Sequence, residues 1–187
     1  MRVIIGGIPG VGKTTVLDEL VREGYRVENY GDVMLKEAIS REYAKNRDEL
    51  RKLPVEEQKE IQKIAAEKLS QFDDVIIDTH FSVSTKDGYL PGLPIPVLNV
   101  LHPDLLISME ADPLDIFERR KNDPMRNRDK DSLERIRAHL EANRSYGITY
   151  SAMTGSPLLV VMNENGKAKE ASEKIASVVR QCNGGNL

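Results

Sequence analysis

The chain of 187 residues has one cysteine, Cys182, so no disulfide can form within it. It lacks any apolar run near the about 18 residues that a membrane-spanning helix needs. It opens on the strand-like run MRVIIGG with no charged-then-apolar leader, and a cytoplasmic protein is expected. An excess of basic charge is missing too. The formal net charge of −3 argues against nucleic acid and against a membrane surface as partners. The three histidines, His80, His102 and His139, have no metal-like spacing, and no zinc site is assigned. No internal repeat or low-complexity linker interrupts the chain. What is present is a 40% hydrophobic composition, enough for the core of one compact domain.

Five short apolar runs recur between longer helical stretches: Val3–Gly6, Arg26–Tyr30, Val75–Asp78, Leu105–Met109 and Leu158–Met162. The first, third and fifth are almost continuous Val, Ile and Leu, as parallel strands buried on both faces are. Helices are expected over Lys13–Arg22, Val55–Phe72, from Asp112-Pro113 onward, over about 132–146 and over about 168–180. Asp112 suits an N-cap and Pro113 a first helical position. Strands alternating with helices predict a three-layer α/β fold around a parallel sheet.

The strongest local signal is GIPGVGKT, which is Gly7, Ile8, Pro9, Gly10, Val11, Gly12, Lys13 and Thr14. It fits G-x-x-x-x-G-K-[ST] at every fixed position, directly after a strand and opening a helix. Glycines let the backbone turn its N–H groups onto phosphate oxygens, and the helix adds its positive end. Lys13 is expected at the β- and γ-phosphates, Thr14 on Mg²⁺, and Thr15 beside the phosphates. Asp78, at the tip of the third strand, is the expected acidic partner for the metal's water shell. No N-K-x-D run occurs, which weakens a GTPase reading.

A second constellation lies in ERRKNDPMRNRDKDSLERIR, residues 118–137. Its arginines suit phosphate because the planar guanidinium fork binds bidentately and stays charged. Four interleaved acids leave a solvated ion-paired surface as the alternative. Between two helices, the segment fits a lid that covers a transferring phosphoryl group and excludes water.

These residues resemble the archaeal-type adenylate kinases over nearly the whole chain. The resemblance is carried by GIPGVGKTTVL, by NYGDVMLKEA with NRDELRKLPVEEQ, by IDTHFSVSTKDGYLPGLP, and by RNRD with the later VVMNENG. It implies Mg²⁺-dependent phosphoryl transfer from ATP to AMP, giving two ADP. It also implies the P-loop NTPase fold, with a five-stranded parallel sheet in the order 2-3-1-4-5 and helices on both faces. The single domain would have its core at 1–29, 72–118 and 138–187, an AMP-binding arm at about 30–71 and a short lid at about 119–137. By resemblance Arg120 and Arg128 are the lid arginines, with Arg126 and Arg137 as competitors. DTHFS departs from the D-G-F-P-R stretch of the wider kinases, so the usual arginine for the AMP phosphate is missing there. Arg51, ahead of Arg47, is the substitute. A later lid arginine falls on His139, which leaves Arg137 or Arg144 to replace it. His80 and Thr85, in the loop after Asp78, are expected to face the acceptor nucleotide. A homotrimer is also implied.

Two other readings stay open at this point. One is a small P-loop kinase for UMP, CMP, dTMP or a non-nucleotide acceptor, which would share the donor loop and lid. The other is a nucleotide-responsive module that hydrolyses ATP slowly, which needs neither acceptor pocket nor clustered lid arginines.

Overall fold

The computed structural model describes residues 1–122 and 132–183. Arg126 and Arg128, expected in the lid, lie outside the described residues. The chain runs through β1 (Arg2–Gly6), α1 (Lys13–Arg22), β2 (Val27–Asn29), α2 (Tyr30–Ser40), α3 (Arg47–Leu50) and α4 (Val55–Ser70). It continues through β3 (Val75–Asp78), β4 (Ser82–Thr85), β5 (Gly88–Pro91), α5 (Ile95–Leu101) and β6 (Leu105–Glu110). It ends with α6 (Pro113–Lys121), α7 (Leu133–Thr154), β7 (Leu158–Met162) and α8 (Ala168–Asn183).

The main sheet has the order β2-β3-β1-β6-β7, with every pairing parallel. Leaving out the β4–β5 hairpin, which forms its own two-stranded sheet, this is the expected 2-3-1-4-5 order. Alternation along β1 splits the core between the two faces. Val3 and Ile5 pack with α1 and α8 residues such as Val16, Leu20 and Ile175. Ile4 packs on the opposite face with Ile77, Leu69, Leu98 and Leu106. A third cluster, Ala38, Ala44, Leu50 and Ile61, holds α2, the segment around α3 and α4 together as an arm of their own.

Three expectations need correction. The proline-stiffened loop after Asp78 is an antiparallel hairpin, with Ser82 opposite Pro91 and Thr85 opposite Gly88. Its pairing is legible only across the turn, because Pro91 sits at the strand end, where proline is tolerated. Helix α7 runs eight residues beyond the expected end at Tyr146, to Thr154. Gly147 does not stop it. A Cβ there would meet the Phe81 ring at 3.0 Å, so the glycine serves packing. The stop comes at Gly155, whose φ of 75° makes a left-handed C-cap. Finally, β2 ends at Asn29, not Tyr30, because the Asn29 side chain caps α2 by accepting from the Asp32 N–H. The cap expected at Asp112 is present: Asp112 accepts from the Leu114 N–H, with Pro113 next in the helix.

Candidate active site

The C-terminal ends of β1 and β3 meet in register, with Ile5 opposite Asp78, and Asp78 is in turn opposite Asn29 of β2. The loop from Gly7 to Gly12 leaves β1 here and turns into α1. Gly12 caps that helix with φ 85°, and a Cβ there would meet Asn163 Nδ2 at 2.4 Å. Only glycine satisfies both the conformation and the space. Ile8 and Val11 are buried in the core, so they anchor the loop and leave the ligand side to backbone. No side chain caps the first turn of α1, which therefore faces outward as an anion site. Thr14 and Thr15 are exposed on that turn.

Lys13, expected at the phosphates, does not extend into solvent. Its side chain is 10% exposed and folded onto Asp78, with Nζ 2.9 Å from Oδ1. It also donates to the Thr79 carbonyl. Burial lowers the Lys13 pKa, and the Asp78 carboxylate opposes that fall. Asp78 Oδ2 accepts from Asn29 Nδ2 at 2.6 Å.

His80 stands against the same loop, with Nδ1 2.6 Å from the Gly7 carbonyl. A carbonyl only accepts, so Nδ1 carries the hydrogen and donates it. Burial, and next the Lys13 cation, bring the imidazole pKa down to about 4. It is therefore neutral at pH 7. In the unfolded chain it titrates near 6.5, so between those values the unfolded state takes up a proton that the folded state refuses. Stability is thus full above pH 6.5 and falls as pH drops toward 4, by at most about 3 kcal/mol from this group. In melting curves at pH 7 and pH 4.5, His80→Asn, which keeps a donor near the Nδ1 position, is expected to lose less stability on acidification than the wild-type protein. Equal losses would remove His80 from the acid response.

The outer side of the loop is held by α6 and the segment after β7. Arg120 donates from Nε and Nη2 to the Pro9 carbonyl at 2.8 and 2.6 Å. Arg119 donates to the Gly10 and Val11 carbonyls at 3.4 and 3.1 Å, to the Asn163 carbonyl and to Asn165 Oδ1. Asn163 Nδ2 donates to the Val11 carbonyl at 2.8 Å. Three consecutive carbonyls are thereby turned outward, which leaves the inner face of the loop to N–H groups. Arg120, expected in the lid, is only 8% exposed and supports the loop through Pro9.

Other expected residues are not brought to this centre. Arg51 is 73% exposed and pairs with Asp48, three residues earlier. Arg47 pairs with Asp32 in the first turn of α2, beside Asn29, which makes it the arm arginine nearer to Asp78 in connectivity. Thr85 spends its hydroxyl on the hairpin, donating to the Gly88 carbonyl and accepting from the Asp87 N–H. His139 stacks on Tyr89 with ring centroids 5.2 Å apart and fixes the hairpin to α7. Arg144 forms a two-point pair with the buried Glu110 at the end of β6. Arg137 is exposed on α7. Asn29, Arg119 and Asn163 were not singled out from sequence. Only Asn29 carries a local signal: asparagine at a strand end, before a glycine and an aspartate, is a helix-cap pattern.

A family model described as an AAA domain matches residues 6–137. The adenylate kinase of Thermoplasma volcanium is 44% identical over 181 residues, covering 96% of this chain and 100% of the relative. That of Thermoplasma acidophilum is 46% identical over 180 residues, covering 96% and 98%. The chain belongs to the adenylate kinase family. In fold, the chain is similar to the shikimate kinase of Aquifex aeolicus, with a TM-score of 0.62, 19% identity and full coverage of both chains. The shikimate kinase of Acinetobacter baumannii, solved in complex with shikimate, matches with a TM-score of 0.62 at 13% identity over 96% of this chain and 93% of the other. Those two likenesses bear on the P-loop kinase fold alone. No described helix of the chain is long and apolar enough to cross a membrane.

Proposed function

We propose that the chain transfers the γ-phosphoryl group of ATP to the phosphate of AMP, reversibly, giving two ADP. The observation that carries this is the Lys13–Asp78 pair at the strand ends. The donor loop lies on one side of it, and the α2–α4 arm is rooted on the other through Asn29. ATP phosphates take the inward N–H groups of residues 7–14 and the start of α1. Lys13 leaves Asp78 and follows the transferring group, where its charge counts most. AMP is received between the arm and the hairpin side of Asp78, with Arg47 as the arm arginine for its phosphate. The acceptor is already an anion, so no general base is required. Positioning and charge neutralisation supply the catalysis.

Mg²⁺ belongs to this reading. The Thr14 hydroxyl and the Asp78 carboxylate are hard oxygen donors, and no described cluster of three or more His, Cys, Asp or Glu forms an all-protein metal cage. Such a sparse donor set suits a cation that keeps several waters and binds mainly through substrate phosphates. When bound, the cation neutralises charge on the β- and γ-phosphate oxygens. A homotrimer is carried over from the family resemblance, and exposed Leu90, Ile95 and Ile148 offer apolar surface for contacts between copies.

The test is a panel of acceptors with ATP and Mg²⁺. AMP is expected to give the highest kcat/KM, with CMP, UMP and dTMP much poorer. A higher kcat/KM for another monophosphate would overturn the acceptor assignment and leave the fold untouched.

A further inference from the structure

Asn29 stands where the acceptor arm, the central carboxylate and the sheet edge meet. It is the last residue of β2 and stands in register with Asp78. Its side-chain amide is committed at both ends. Oδ1 accepts from the Asp32 N–H at 3.0 Å and caps α2. Nδ2 donates to Asp78 Oδ2 at 2.6 Å. The two bonds together fix which end of the amide is oxygen and which is nitrogen. The free side of the cap is also confined. A Cβ on Gly31 would approach Asn29 Oδ1 at 3.3 Å and Arg47 Nη1 at 3.6 Å.

We infer that Asn29 is a positioning residue for phosphoryl transfer. It holds Asp78 in the rotamer that presents Oδ1 to Lys13, and it ties the root of the acceptor arm to that rotamer. With Oδ2 taken by Asn29, Oδ1 remains for the ammonium at 2.9 Å. Asp78 then cannot swing across β3 when Lys13 moves to the phosphates. The same amide starts α2, so any displacement of the arm's first turn acts directly on the carboxylate. A cap alone needs only an acceptor oxygen, which serine and aspartate supply equally well. The second bond needs a neutral donor, which neither supplies in that place: serine is too short, and aspartate brings an anion against an anion. The cap and the positioning role are therefore separable by substitution.

This inference rests on the proposed transfer from ATP to AMP, and the wild-type protein's turnover with that pair tests that reading independently. With wild-type turnover as reference, Asn29→Ser and Asn29→Asp keep the cap and lose the bond to Asp78. Asn29→Ser is expected to melt a few degrees below wild type, since the cap survives and only the bond to Asp78 is lost, and Asn29→Asp lower still, because its carboxylate faces that of Asp78. Both are expected to lose about tenfold or more in kcat, with KM for ATP and AMP within about twofold, because orientation counts most in the transition state. Asn29→Ala loses both roles and is expected to combine that kcat loss with a lower melting temperature. Wild-type kcat in Asn29→Ser and Asn29→Asp would reduce Asn29 to a helix cap and overturn the inference. A rise confined to KM for AMP would overturn it differently, by making Asn29 an acceptor contact.

Discussion

Lys13→Ala is expected to lower kcat by about 10²–10³-fold, the range seen when one preorganised electrostatic donor is removed. The charge on the transferring phosphoryl group is spread over its oxygens in the transition state, so a cation placed there contributes more to the barrier than to ground-state binding. The Lys13 ammonium is nearly buried and paired with Asp78 at 2.9 Å. Burial disfavours its charge while Asp78 favours it, so the two effects oppose each other. A buried pair of this kind adds little net stability, although removal of one partner leaves the other exposed to an unfavourable environment. Asp78 retains its bond from Asn29, which limits that loss. Lys13→Ala is therefore expected to remain folded by circular dichroism. Lys13→Met, which keeps most of the length without the charge, is expected to be equally inactive. Near-normal kcat in either variant would take the donor site away from residues 7–14.

The second large effect is expected at Arg120, and it differs in kind. Its guanidinium makes two bonds to the Pro9 carbonyl from a nearly buried position, and a Cβ on Gly10 would meet its Cγ at 3.0 Å. In Arg120→Ala the carbonyl loses both donors and the loop loses its packing. Leaving this partly buried acceptor without its donors costs up to about 1–3 kcal/mol. For a chain of this size that corresponds to a melting temperature lower by about 2–10 °C. The loop's N–H groups are then less well aimed, so kcat/KM for ATP is expected to fall by about tenfold or more, since each tenfold is 1.36 kcal/mol. Arg120→Lys keeps the charge without the fork and is expected to fall between the two. Scanning calorimetry and steady-state kinetics on the same preparations check both halves. A residue that acted only as an exposed lid arginine would leave the melting temperature at the wild-type value while kcat fell.

Much of this was legible in the chain, for local reasons. The phosphate loop, the strands around it and Asp78 at a strand tip follow from short-range pattern: glycine spacing, a buried apolar run and the polar residue that ends it. The cap at Asp112 is equally local. The hairpin at 82–91 was missed because its two strands carry polar residues and a terminal proline, and they are held against α7 through Tyr146 and His139, with Tyr150 bonded to Phe81 just before them. The contact of Arg120 with the loop was not legible because the Pro9 carbonyl lies 111 residues earlier in the chain. A charge run reads as a lid whether or not one of its arginines folds back onto the loop. Asn29 shows the middle case: its cap is readable within four residues, while its bond to Asp78 spans 49 and depends on β2 lying next to β3. The end of α7 was misjudged because Gly147 looks like a helix stop until the Phe81 ring beside it is known.

The most direct measurement of the central claim is a product balance. The protein is incubated with equal ATP and AMP and excess Mg²⁺, and all phosphorus species are followed together by ³¹P NMR. Transfer between the two nucleotides requires ATP and AMP to disappear in equal amounts, two ADP to appear for each pair, and the reaction to run backward from ADP alone. Release of inorganic phosphate with AMP left unchanged would contradict it, and would make the chain an ATP hydrolase built on the same loop.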